Sequence, residues 1–182
     1  TKGGEQSRGK QQLIIGPWLH GRLNKGFKVA ELTYPENALW PEYDHMVRWF
    51  EHWLKGVENK VEQEPAVRYY VMGATGEPKA PGNVWREAKD WPPPNQPTPL
   101  YLQPEGKLAL IAPTAETGAT SYKSDPFKPM EIPGTGFPGA KDARPFEKQA
   151  EVRTFTTEPL KEPVEWTGRV RAEIFVSSTA RD

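Results

Sequence analysis

The chain contains no cysteine. Disulfides and thiolate metal sites are therefore excluded among its 182 residues, and nothing points to a redox compartment. It also lacks an excess of charge: 24 Lys plus Arg balance 24 Asp plus Glu, for a formal net charge of zero. That removes any electrostatic case for nucleic acid or an anionic membrane as partner. No apolar run approaches the ~20 residues of a membrane-spanning helix. There are only three histidines, and no Gly-x-Ser-x-Gly occurs, the elbow that lifts a nucleophilic serine onto a strand-to-helix turn. Nothing implies a cofactor or a metal, and localisation stays open. Proline and glycine are plentiful, 20 and 16, about a fifth of the residues, and seven tryptophans accompany them. That balance suits a loop-rich β protein.

The most informative stretch is Leu13-Ile14-Ile15-Gly16-Pro17-Trp18-Leu19-His20. A short apolar run closed by a breaker reads as a strand buried on both faces, as in a parallel sheet. In open α/β sheets reactive groups gather beyond the carboxyl ends of strands, and His20 falls there. It is the candidate general base, against the plainer reading of a loop histidine bonded to backbone. Thr1 to Gln12 reads as an exposed connection, and Gly21 to Asn37 as a long polar loop.

One helix is expected, from about Pro41 to Lys55. Proline suits the first helical position, Glu42 and Asp44 the first turn, Lys55 the last, and Gly56 the position after the end. Tyr43, Met46, Val47, Phe50, Trp53 and Leu54 recur at helical spacing as one apolar stripe, expected to pack on a sheet through Met46, Phe50 and Trp53. His45 and His52, seven apart, read as structural or solvated. Residues 56–65 are charged and unpatterned, the best boundary between domains. Beyond them the period becomes two: Val67 to Val71, a run around Leu108 and Leu110, another at Val152 and Phe155, and the clearest from Gly168 to Val176. Strands joined by turn-rich stretches indicate a mainly antiparallel sandwich. Pro92-Pro93-Pro94 is a stiff connection. Residues 113–145 read as a long loop, functional or packed on a neighbour.

Gly-Pro-Trp-x-His after an apolar strand resembles the catalytic-histidine segment of α/β hydrolases related to cocaine esterase, X-Pro dipeptidyl-peptidase and α-amino-acid ester hydrolase. Val71-Met72-Gly73, Trp85 to Trp91-Pro92, Ser124-Asp125-Pro126 and Arg169 to Ser178 follow in the same order, so the resemblance covers about Gln11 to Asp182. It implies the C-terminal portion of an α/β hydrolase domain over residues 1–60. An incomplete, mainly antiparallel jelly roll (galactose-binding-like) then follows over 61–182. It implies acyl transfer with His20 as catalytic base and a small ester, amide or peptide as substrate. Trp18 is the candidate substrate-binding wall, with packing beneath the loop the favoured alternative. Serine and carboxylate precede histidine in such chains, so the expectation is an internal fragment whose partner is the remainder of its parent, with homo-oligomer formation left open.

Several patterns read as decoys. Gly134-Thr135-Gly136-Phe137-Pro138-Gly139 spells a dinucleotide fingerprint but has Pro133 before it, Pro138 inside it and no helix pattern after it. Ser121 and Ser124 lie outside any elbow, and Asp142, Glu147 and Glu151 read as a solvated face. The rival function is a binding module, with Trp85, Trp91 and Trp166 as a sugar platform.

Overall fold

The computed structural model describes residues 4–20, 28–114, 119–131 and 140–180. The Gly134–Gly139 motif falls outside the described residues.

Strands predominate. After a polar lead-in with one 3-10 turn at Glu5–Ser7, β1 spans Leu13–Ile15, and a small hairpin follows, β2 (Lys28–Val29) and β3 (Leu32–Thr33). Another 3-10 turn, Glu36–Ala38, leads to helix α1, Glu42–Lys55. Then come β4 (Val67–Val71), β5 (Val84–Ala88), β6 (Tyr101–Gln103), β7 (Lys107–Ala109) and a single turn of helix, α2 (Arg144–Glu147).

Helix α1 begins and ends where its sequence dictates, to within one residue. Pro41 is not its first residue but the one before it, with ψ 68°. Glu42 and Asp44 then occupy the first turn, and His52 and Lys55 the last, matching the helix dipole. Gly56 closes it in the left-handed region at φ 73°, its N–H donating to His52 O at 3.0 Å, while Val57 N donates to Glu51 O at 3.1 Å. A Cβ at Gly56 has space but the wrong backbone. Gly56→Ala is therefore expected to cost about 1 kcal/mol, read as a lower denaturant midpoint at unchanged slope.

Of the three residues expected to pack, Trp53 is half-buried, whereas Met46 and Phe50 are not. Tyr43 (65%), Phe50 (49%) and Leu54 (77%) stay exposed, as do Met46 and Val47. The helix turns His45, His52 and Trp53 toward the lead-in and residues 57–64, with Trp49 against Trp53. Trp53 stacks beneath Lys10, whose Nζ lies 5.0 Å from the ring centroid. α1 is apolar on more than one side. Within this chain the side bearing His45 and His52, both hydrogen-bonded, is the one that finds neighbours, while the Trp53 indole nitrogen beside them is buried without a partner.

The main sheet runs β1-β4-β5. β1 pairs parallel with β4, Leu13 opposite Val67 and Ile15 opposite Tyr69, and α1 is the crossover between them. A parallel neighbour of β1 thus comes from downstream in the same chain. Residues on either side of the 60/61 boundary share one sheet. Period-two alternation in Val67 to Val71 identified a strand but could not encode its partner's direction. β4 is the central strand, with Val67, Tyr69 and Tyr70 buried, and β5 flanks it antiparallel, Tyr70 opposite Trp85.

Farther on, β6 and β7 form a hairpin about Glu105 and Gly106, at φ 60° and 72°. The run at Val152 and Phe155 is reduced to a single bridge, Thr156 to Lys107. The clearest sequence alternation, Gly168 to Val176, forms no ladder among the described residues, and Phe175 is 94% exposed. Alternation prepares a strand, but only a partner makes one.

The presumed polar loop 21–37 is a second correction. Val29 and Tyr34 are buried there and join Ala38 and Tyr70 of β4 in a core cluster, with Leu19, Leu32 and Trp85 packed on it. These residues follow no period, so only their tertiary neighbours reveal them as core.

Candidate active site around His20

β1 ends at Ile15, and the chain turns at once. A Cβ on Gly16 would collide with the indole of Trp18, so glycine is what lets Trp18 fold back over the strand end. Pro17 is buried. The Trp18 indole N–H donates to Ala38 O at 2.7 Å, and its ring meets Trp85 at 5.7 Å between centroids. Leu19 packs on the core cluster. With residues 17 to 19 held inward, His20 emerges exposed on the turn. A base that must meet substrate needs that combination, an accessible imidazole on a constrained backbone.

Trp18 thus packs on Trp85, with its one polar atom committed to the Ala38 carbonyl.

The returning segment is fixed as firmly. Trp85 Nε1 donates to Asn37 O at 2.7 Å, and Tyr70 Oη donates to Asn37 Oδ1 at 3.0 Å. Asn37 Nδ2 donates to Asn83 O at 2.9 Å. Trp85 also meets Trp40 at 5.2 Å and Tyr70 at 5.3 Å. At the hairpin tip the Asp142 N–H donates to Glu31 Oε2 at 3.0 Å, bringing the long loop against the same segment. Asn37 was missed in sequence because an asparagine in a polar stretch carries no signal of its partners.

The other histidines are structural, as expected. His45 Nε2 lies 2.8 Å from Gln12 Oε1, its ring sits on Trp40 at 5.5 Å, and Glu64 is 3.7 Å from Nδ1. His52 Nδ1 lies 3.0 Å from Val57 O at the helix end. Burial lowers the His45 pKa from its ordinary value, the Glu64 carboxylate raises it, and Arg48 and Arg68 push it down again. A histidine with a depressed folded-state pKa protonates first in the unfolded chain. Its contribution to stability is complete above the unfolded pKa, about 6.5, and is lost as pH falls through the folded one. Replacing His45 by Gln should flatten the dependence of Tm on pH below about 6.5. Equal slopes in the two proteins would contradict this.

No serine hydroxyl is hydrogen-bonded to a histidine among the described residues. Ser121 and Ser124 are exposed on irregular chain. Asp142 is solvated as expected: the Arg144 guanidinium grips it and holds its pKa at about 2, too acidic for a proton donor near neutrality. The tryptophan platform is not assembled. Trp85 shares a face with Tyr70, whereas Trp91 packs on Tyr69 at 5.4 Å, and successive strand residues face opposite ways.

The sequence pattern of the X-Pro dipeptidyl-peptidase C-terminal non-catalytic domain matches residues 59–182. This chain belongs to the X-Pro dipeptidyl-peptidase and cocaine esterase family. The cocaine esterase of Rhodococcus sp. is 32% identical over 195 residues, covering 94% of this chain and 31% of that protein. A Mycobacterium bovis protein named a serine esterase is 31% identical over 184 residues, covering 93% of this chain and 26% of that protein. Among solved structures, an aminopeptidase from a marine sediment archaeon, Thaumarchaeota archaeon, superposes with a TM-score of 0.64 at 28% identity, over 84% of this chain and 25% of that one. The chain thus spans between a quarter and a third of the length of these family relatives.

Proposed function

We propose that this chain is the part of a serine hydrolase that supplies its general base, His20. The observation that carries the reading is the exposed imidazole on a turn braced by Trp18 at the carboxyl end of a parallel strand. Kinship with proteins named esterases supports the reaction class. Elsewhere in the parent, a serine attacks an ester, amide or peptide carbonyl. His20 takes the serine proton and returns it to the leaving group. The carboxylate that orients the imidazole and the donors that stabilise the oxyanion also come from the parent.

In this reading residues 1–60 end the α/β hydrolase domain and residues 61–182 begin a jelly roll, with the β1-β4-β5 sheet joining the two. The remainder of the parent covers what is bare here. The accessible surface is 15614 Å², against about 8,900 Å² for a compact monomer of this length by the usual size scaling. The apolar side of α1 and the run from Val170 to Val176 contribute to that excess.

The test is covalent labelling. The full-length protein is expected to react stoichiometrically with a serine-directed fluorophosphonate and to lose aryl-ester turnover in step. Absence of labelling, with glycan binding by residues 61–182, would replace the hydrolase with a binding module.

A further inference from the structure

The loop that carries His20 leaves β1 at Gly16 and returns through the β2–β3 hairpin to Ala38. Its two described flanks meet at one joint. Trp18, on the way out, donates to Ala38 O, and Trp85, from β5, donates to the adjoining carbonyl of Asn37. The two indoles pack against each other at 5.7 Å. The Asn37 side chain completes the joint in both directions, accepting from Tyr70 Oη and donating to Asn83 O.

The far side of the joint is rigid. Asn83 Oδ1 accepts from Gly73 N at 3.1 Å and Asn83 Nδ2 donates to Ala74 O at 2.8 Å, so one side chain clasps both ends of the β4–β5 connection. The two backbones approach so closely there that a Cβ on Gly82 would come within 2.9 Å of Gly73 Cα. Asn37 itself is exposed. Its bonds therefore fix a position without filling the core, which separates holding the loop from building the fold.

We propose that Asn37 is a positioning residue for His20, fastening the catalytic loop to the β4–β5 hairpin through Tyr70 and Asn83. The proposal rests on His20 being the base. A base must sit within hydrogen-bond reach of the proton it moves, and a misplacement of about 1 Å costs on the order of a hundredfold in rate. A displacement confined to the base weakens the chemical step and leaves ground-state binding in place. The signature is a loss in kcat with KM held.

The experiment uses the full-length protein, with Asn37→Ala, Tyr70→Phe and the double variant. Asn37→Ala is expected to lower kcat about 10- to 100-fold with KM within twofold. Tyr70→Phe should have a smaller effect in the same direction, and the double variant should be no worse than Asn37→Ala, because both sever one joint. Hydrogen exchange should quicken at Trp18 to His20 and at residues 28–38 in Asn37→Ala, with exchange in β4 unchanged. An unaltered kcat, a loss confined to KM, or unaltered exchange at Trp18 to His20 overturns the proposal. His20→Ala is measured alongside. Should it retain turnover, the base assignment fails, while faster exchange in Asn37→Ala still upholds the tether and unaltered exchange still overturns it.

Discussion

Replacing His20 by Ala in the full-length protein is expected to lower kcat/KM for a simple aryl ester by at least about a thousandfold, leaving fold and stability intact. The size follows from the role. Without a base the serine must lose its proton to water, and what activity remains comes from substrate binding and the oxyanion donors alone. The sparing of the fold follows from exposure: His20 lies in solvent, whereas Pro17, Trp18 and Leu19 do the packing. Surface changes away from packed features shift stability within about 0.5 kcal/mol. The measurement is steady-state hydrolysis beside a denaturant melt. Turnover within a few-fold of the parent's, on an unchanged melt, would transfer the role to another residue.

The second large effect is expected at Phe50. In this chain it is half-exposed, in the middle of a face shared with Tyr43, Met46, Val47 and Leu54. A helix that leaves five large apolar side chains in water on one face is incomplete, since each would gain about 1.5–3 kcal/mol on full burial. If the parent's sheet covers that face, Phe50→Ala in the full-length protein should cost about 3–5 kcal/mol, the lost transfer free energy plus the cavity left behind. If the face remains in solvent, the cost should stay under about 1 kcal/mol. Urea unfolding distinguishes the two. A small value would mean that this face of α1 stays in solvent in the parent as well.

Local signals were legible wherever chemistry and backbone geometry are local. The start and stop of α1 were written in Glu42, Asp44 and Gly56, and the structure moves only Pro41, by one position. The strand Leu13–Ile15 and its breaker were visible, as were the alternating residues of β4. Spacing left His45 and His52 as structural or solvated and Asp142 as solvated, and the structure shows both histidines hydrogen-bonded. The ordered motifs from Gly16 to Ser178 carried the family.

What the sequence by itself determined, then, was the bounds of α1, the presence of β1 and β4, and the histidine worth testing. Tertiary structure alone decided which elements face one another. It set β4 parallel to β1, left Met46 and Phe50 of α1 outward, left Gly168 to Val176 unladdered, and made core of Val29, Tyr34 and Ala38. It also brought Asn37 between Tyr70 and Asn83, residues 33 and 46 positions away. The reason is physical. Periodicity and capping are properties of neighbours along the chain, whereas a strand's partner, a helix's buried side and a side chain's hydrogen-bond acceptor are chosen by groups distant in sequence and close only after folding.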